Sequence, residues 1–171
     1  MKTLLMLFLL GLIVAKTEGA MVKVGDAAPD VAAPGTNDKD IRLSDYRGSW
    51  VVLFFYPKAF TPGCTAEACS LRDGYAEIEK LGAVILGASL DSVQRQKEFK
   101  AKHNMPFELI ADADKVYAQA FDVLAMGGLM AQRKTFIIDP QGRIAYVFDK
   151  VTTGSHNQEV ADVLKKLALP K

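Results

Sequence analysis

Sulfur nucleophiles and imidazoles are scarce in this chain: two cysteines and two histidines in 171 residues. That scarcity excludes a disulfide-built scaffold. It also argues against a Cys/His zinc centre, because structural zinc takes four ligands from tight clusters. No block of like charge stands out and the net charge is +1, so nothing points to nucleic acid. No repeat or low-complexity tract is visible. Half of the residues are hydrophobic and 24% charged, an ordinary globular balance.

One long apolar run exists, and it is N-terminal. Leu4 to Ala15 is broken only by Gly11, which is short of the roughly 20 residues of a membrane span. A positive start, Met1-Lys2, precedes it, and Lys16-Thr17-Glu18-Gly19-Ala20 follows. This pattern resembles a secretory signal peptide. Cleavage after Gly19 leaves Thr17 three residues from the cut; cleavage after Ala20 leaves Glu18 there. No cysteine follows, so lipid attachment is not indicated. The expectation is a signal over residues 1–20, export to a periplasmic or secreted location, and one domain over residues 21–171. An uncleaved anchor and a cytoplasmic protein started at Met21 are the alternatives.

The remaining chain alternates strand and helix patterns. Asp26–Asp40 is rich in Pro, Gly, Asn and Asp and reads as loop. Val51–Tyr56 is an all-apolar strand, followed by a helix over Pro62–Lys80. Ala83–Ser89 is a second buried strand. Ser92 caps a helix running to His103, and Phe107–Ala111 is a short extended piece. Asp114 starts a helix with an apolar stripe of Tyr117, Ala120, Phe121 and Leu124. Lys134–Asp139 and Arg143–Phe148 are strands joined by the turn Asp139-Pro140-Gln141-Gly142. Ser155 opens a last helix with Val160, Val163, Leu164 and Leu167 on one face. A parallel crossover followed by a terminal hairpin predicts an α/β protein with a mixed central sheet flanked by helices, and a thioredoxin-like fold fits that order.

The two cysteines lie five residues apart, where the strand Val51–Tyr56 runs into the turn before a helix. Cys64 falls in the first turn of that helix, where unpaired N–H groups and the positive end of the dipole favour a thiolate. Cys64, Ala68, Leu71, Tyr75 and Ile78 follow the spacing of one buried helix face. Cys69 falls with Arg72, Asp73 and Ala76 on a more polar face. On an ideal helix the two Cα atoms are roughly 8.6 Å apart, whereas a disulfide needs about 4.4–6.8 Å. The thiols therefore pair only if the first turns unwind. The Cys-x-x-x-x-Cys spacing weakens a thioredoxin-type Cys-x-x-Cys reductant.

The stretch Phe55–Asp73 resembles the active-site segment of the peroxiredoxins, and most nearly the bacterioferritin-comigratory, or Q-type, subfamily. Pro57-x-x-x-Thr61-x-x-Cys64 matches the signature, and Cys69 matches the subfamily's resolving cysteine. The similarity continues through Leu81–Gly87 and Thr135–Asp139 and spans nearly all of Val24–Leu167. The resemblance implies a thioredoxin-like fold and thiol-dependent reduction of hydroperoxides. It implies that Cys64 attacks the peroxide and that its sulfenic acid is resolved by Cys69 as an intramolecular disulfide. Thr61 would hydrogen-bond the peroxide, Pro57 would shield the pocket, Arg133 would stabilise the thiolate, and Glu67 would orient Arg133. Thioredoxin or another dithiol would be the reductant. No cofactor or metal is implied, and a monomer is expected, with a dimer as the alternative. The glycine- and methionine-rich segment Val123–Gln132 before Arg133 reads as mobile. His103 and His156 read as surface residues near helix ends. The competing readings are a thioredoxin-fold thiol–disulfide oxidoreductase and a metallochaperone binding copper through Cys64, Cys69 and a histidine.

Overall fold

The computed structural model describes residues 21–168 of the chain. The expected signal segment lies outside these residues. The first ordered pairing is a small antiparallel ribbon, β1 (Ala32–Pro34) with β2 (Asp40–Arg42), inside the stretch read as loop. Its three-residue strands are hidden among turn-forming residues. Its tight corner depends on Gly35, where a Cβ would lie 2.5 Å from Ile41 Cδ1.

The central sheet has five strands. β3 (Trp50–Phe55) and β4 (Ala83–Ser89) are parallel, and β5 (Glu108–Ala111) extends them in the same sense. On the other side of β3, the final strands pair antiparallel, β8 (Lys134–Ile138) against β3 and β9 (Ile144–Phe148) against β8. The order is β5-β4-β3-β8-β9, the mixed thioredoxin-like sheet that the element order predicts. The β8–β9 turn closes through Gly142 N–H to the Asp139 carbonyl at 2.8 Å, and the Asp139 carboxylate accepts from Gln141 and Arg143 N–H.

β3 explains its unbroken apolar run. Val51, Leu53 and Phe55 enter the core on one face, and Val52, Phe54 and Tyr56 enter the core on the other. A strand buried on both faces has no polar side to alternate with. The first face carries α4 (Val116–Ala120) and the β1–β2 ribbon, through Tyr117, Phe121 and Ile41. The second carries α1 (Pro62–Asp73), α2 (Tyr75–Lys80), α3 (Val93–Lys102) and α5 (His156–Leu167).

Three sequence expectations are corrected here. The helix read as continuous over Pro62–Lys80 breaks at Gly74, where α5 comes so close that a Cβ would lie 2.5 Å from Asn157 Cβ. The helix read from Asp114 to Leu124 is only the five residues of α4. Its first N–H groups go to the buried Asp112 carboxylate, which accepts from Tyr117 and Ala118. Leu124 instead belongs to a hairpin, β6 (Leu124–Ala125) with β7 (Met130–Ala131), closed through Gly127 and Gly128 at positive φ. The segment read as mobile thus has a paired backbone. Ser92 caps α3 as expected, accepting from Arg95 N–H.

Candidate functional site

The site is built where β3 ends and α1 begins. Pro57 and Lys58 leave the strand, Phe60 turns the chain at φ 69°, and Thr61 is the extended N-cap of α1. A bulky residue in the left-handed region is held there only by its surroundings. Phe60 packs edge-on against Phe99 at 5.1 Å, with the Arg95 guanidinium 5.0 Å over its ring. The neighbouring backbone is pinned from the end of β4 and from α3. Asp91 accepts from Ala59 N–H at 2.7 Å, and Arg95 donates to the Ala59 carbonyl at 3.1 Å. The sequence reading missed Asp91 and Arg95, since they act on the loop from 32 and 36 residues away.

Cys64 sits in the first turn of α1 and is 1% exposed. The Arg133 guanidinium reaches it from the start of β8, Nη2 donating to Cys64 Sγ at 3.4 Å. Nη1 of the same group donates to Glu67 Oε2. Glu67 lies almost one turn beyond Cys64 and is fully buried. Burial pushes its carboxyl up to about 7, against the opposing charge and hydrogen bond of Arg133. For Arg133, burial works against the charged form, but Glu67 and Cys64 outweigh it and raise its value. The two directions are compatible: the pair attracts, while the surroundings of the carboxylate remain poor in donors. Glu67 Oε1 has no hydrogen-bond partner. Gly63 is the other participant that sequence reasoning missed. A Cβ there would stand 3.2 Å from Arg133 Nη2, so the guanidinium passes over a residue that must be small.

Thr61 caps α1 with its backbone only. Its hydroxyl makes no capping bond and donates instead to the Lys58 carbonyl at 2.9 Å. The hydroxyl oxygen keeps its acceptor lone pairs. Pro57 lines a cleft of about 350 Å³ together with Lys58, Leu90, Asp91, Leu129 and Met130. Cys64 is not among its walls, so the cleft adjoins the sulfur's loop rather than enclosing the sulfur.

Both cysteines are free thiols, Cys64 buried and Cys69 partly exposed. They share the unbroken α1, whose geometry keeps them beyond disulfide reach. Cys69 contacts His103 instead, with Sγ 3.7 Å from Nδ1. The expectation of two surface histidines fails here. His103 is half-buried against Cys69 and Phe99. His156 is completely buried between Thr135 Oγ1 and Glu159 Oε2, each at 2.8 Å, and burial lowers its value more than Glu159 raises it. As a neutral ring it donates from Nδ1 to Glu159 and accepts the Thr135 hydroxyl at Nε2. Its partners come from β8 and from its own helix, and a helix-start position in the sequence discloses neither. Among the described residues no group of three or more His, Cys, Asp and Glu could hold a metal ion.

Comparison with known proteins agrees with this geometry. Residues 24–147 match the AhpC/TSA family. Peroxiredoxin Bcp of Bacillus subtilis (strain 168) is 40% identical over 153 residues, covering 86% of this chain and 98% of that protein. Peroxiredoxin Q of Xanthomonas campestris superposes with a TM-score of 0.79 at 35% identity, over 88% of this chain and 99% of that one. Structures of the bacterioferritin comigratory protein of the same organism, described as trapped intermediate and ligand complexes bearing on alkyl peroxide reduction, superpose with a TM-score of 0.79 at 34% identity, over 88% and 99%.

Proposed function

The chain belongs to the AhpC/TSA family, among its Bcp and Q-type peroxiredoxins, and from that premise we propose that it reduces hydrogen peroxide and organic hydroperoxides through Cys64. The observation that carries this reading is Arg133, held by Glu67 with Nη2 3.4 Å from Cys64 Sγ. A fixed cation at a buried sulfur stabilises the thiolate and the charge that develops on a departing oxygen. The same cation opposes metal capture at Cys64, which disfavours the metallochaperone reading.

The Cys64 thiolate attacks the terminal peroxide oxygen. The S–O bond forms as the O–O bond breaks, giving a sulfenic acid and an alkoxide or hydroxide that leaves as alcohol or water after protonation. The Thr61 hydroxyl oxygen accepts the hydrogen bond of the incoming hydroperoxide. Pro57 contributes apolar surface and no N–H where the loop meets the cleft. Cys69 then resolves the sulfenic acid as an intramolecular disulfide, after the first turns of α1 unwind. A dithiol such as thioredoxin reduces that disulfide. Alkyl peroxide reduction by the Xanthomonas protein supports an organic substrate.

We propose further that residues 1–20 are an export signal removed on secretion, leaving a monomeric domain from residue 21. Stopped-flow reaction of the reduced protein with hydrogen peroxide tests the catalytic reading. Rapid sulfenic acid formation that is absent in Cys64→Ser is the expected result; undiminished turnover in that variant overturns it.

A further inference from the structure

We infer that His103 is the proton acceptor for the Cys69 thiol when that sulfur attacks oxidised Cys64. The inference rests on the reading of Cys69 as the resolving residue and adds a second catalytic residue to that half of the cycle.

The geometry is that of a placed imidazole, 3.7 Å from the sulfur through Nδ1. His103 is the C-cap of α3, with its N–H on the Phe99 carbonyl. Its own carbonyl accepts from Arg72 Nη1 at 2.9 Å, which ties the end of α3 to the Cys69 face of α1. The ring stands edge-on to Phe99 at 5.2 Å and lies 6.5 Å from Phe60. Backbone and ring are therefore both constrained, and the nitrogen facing Cys69 is fixed.

The charged groups facing the ring are Lys102 from its own helix and Arg72 from α1, with the Cys69 thiol between the helices. Partial burial first, then Lys102 and Arg72, lower His103 below its ordinary value of 6.5. The ring is thus neutral at pH 7 with a free lone pair, and a proton on Nε2 leaves Nδ1 as the acceptor. The ring is also not spent elsewhere, because no side chain but Cys69 hydrogen-bonds to it among the described residues.

In the resolving step the Cys69 proton passes to His103 Nδ1. The sulfur then supplies the electron pair of the new S–S bond, and the S–O bond of the Cys64 sulfenic acid breaks. The departing hydroxide takes up a proton and leaves as water, and the imidazolium returns its proton to solvent. Cys69 is oxidised, Cys64 is reduced, and no external oxidant or reductant enters. Because the contact already exists in the folded helix, the proton acceptor is in place before α1 unwinds.

The test compares full chains of the parent, His103→Gln and Cys69→Ser in single turnovers with hydrogen peroxide. Rapid quenching with a sulfenate-specific trap gives both the rate of sulfenic acid formation and the rate of its loss to disulfide. The rate of loss divided by the rate of formation isolates resolution from general damage to the protein. In His103→Gln this ratio should fall by about 10²-fold, the low end for general base catalysis. In the parent, resolution should decline as pH falls through a value below 6.5, and that inflection should vanish in the variant. An unchanged ratio, or a reduced ratio that keeps the inflection, overturns the assignment, the second because it marks a packing role. Cys69→Ser separates this failure from that of the underlying reading. If sulfenic acid persists there while His103→Gln behaves as the parent, only the role of His103 is lost. If Cys69→Ser still forms an intramolecular disulfide or resolves normally, Cys69 itself is misassigned.

Discussion

Glu67 is the residue at which burial and charge compete most directly. Its value in the fold is raised from 4.5 to about 7, first by burial and against the pull of Arg133. For a raised acid, the contribution to stability is fully present below pH 4.5 and is lost as pH rises through about 7. Between pH 5 and pH 8 the parent should therefore lose stability that Glu67→Gln retains, a difference on the order of 2 kcal/mol. Urea unfolding of both proteins at the two pH values measures it, and parallel pH curves would refute the coupling. The same substitution leaves Nη1 of Arg133 with a neutral amide acceptor in place of the carboxylate and should slow sulfenic acid formation even as the protein becomes more stable at pH 8. Arg133→Lys should cost about 10²-fold in the peroxide step, because an ammonium cannot span Cys64 and Glu67 together as the guanidinium fork does. Stopped-flow rates equal to the parent's would remove Arg133 from the chemistry.

Among the elements, α1 carries the conflict on which the proposed cycle depends. While intact it presents Cys64 at its first turn beside Arg133, and while intact it keeps Cys69 too far away to bond. Oxidation should therefore accelerate amide exchange between Thr61 and Asp73 while β3, buried on both faces, stays protected. Equal protection of α1 in the two redox states would contradict resolution by Cys69. The helix is bounded at its far end by Gly74, which lets α5 approach. Gly74→Ala would drive a methyl group into Asn157, 2.5 Å away at Cβ, and should destabilise the fold by about 1–3 kcal/mol. A urea midpoint matching the parent's would mean that α5 can shift without penalty. This break shows how far the sequence could be read. The 4-3-4-3 spacing of Cys64, Ala68, Leu71, Tyr75 and Ile78 located the inward face, with only Tyr75 left half-buried, since periodicity is a local property. The break coincides with the close approach of Asn157 from another helix, and no local pattern announces a neighbour of that kind. Arg133 was reachable only through the family motif, and His156 was misread because the partners that bury it, Thr135 and Phe148, lie on β8 and β9.

For the molecule as a whole, the mixed central sheet was legible because β3 and β4 are continuous apolar runs and the β8–β9 turn has strong turn chemistry, whereas the spatial order β5-β4-β3-β8-β9 was not. The β1–β2 and β6–β7 ribbons were not, because strands of two or three residues lack a readable period. Val22 packs against the core face that carries α4, Gly25 N–H bonds the Ile144 carbonyl at 2.8 Å, and Ala28 N–H bonds the Gly142 carbonyl at 2.9 Å. These contacts tie the start of the described chain to β9, so the domain holds its N-terminal end with its own residues. A protein begun at Met21 should therefore unfold at the same urea concentration as the full chain and form sulfenic acid at the same rate. In the native host, the intact mass of the protein recovered from the cell envelope or medium should lack residues 1–20. Full-length mass in that fraction would refute cleavage, and recovery only from the cytoplasm with Met21 at the N-terminus would place the start of translation there. A lower midpoint for the Met21 protein would show that residues 1–20 contribute to the fold, a role incompatible with a segment discarded on export.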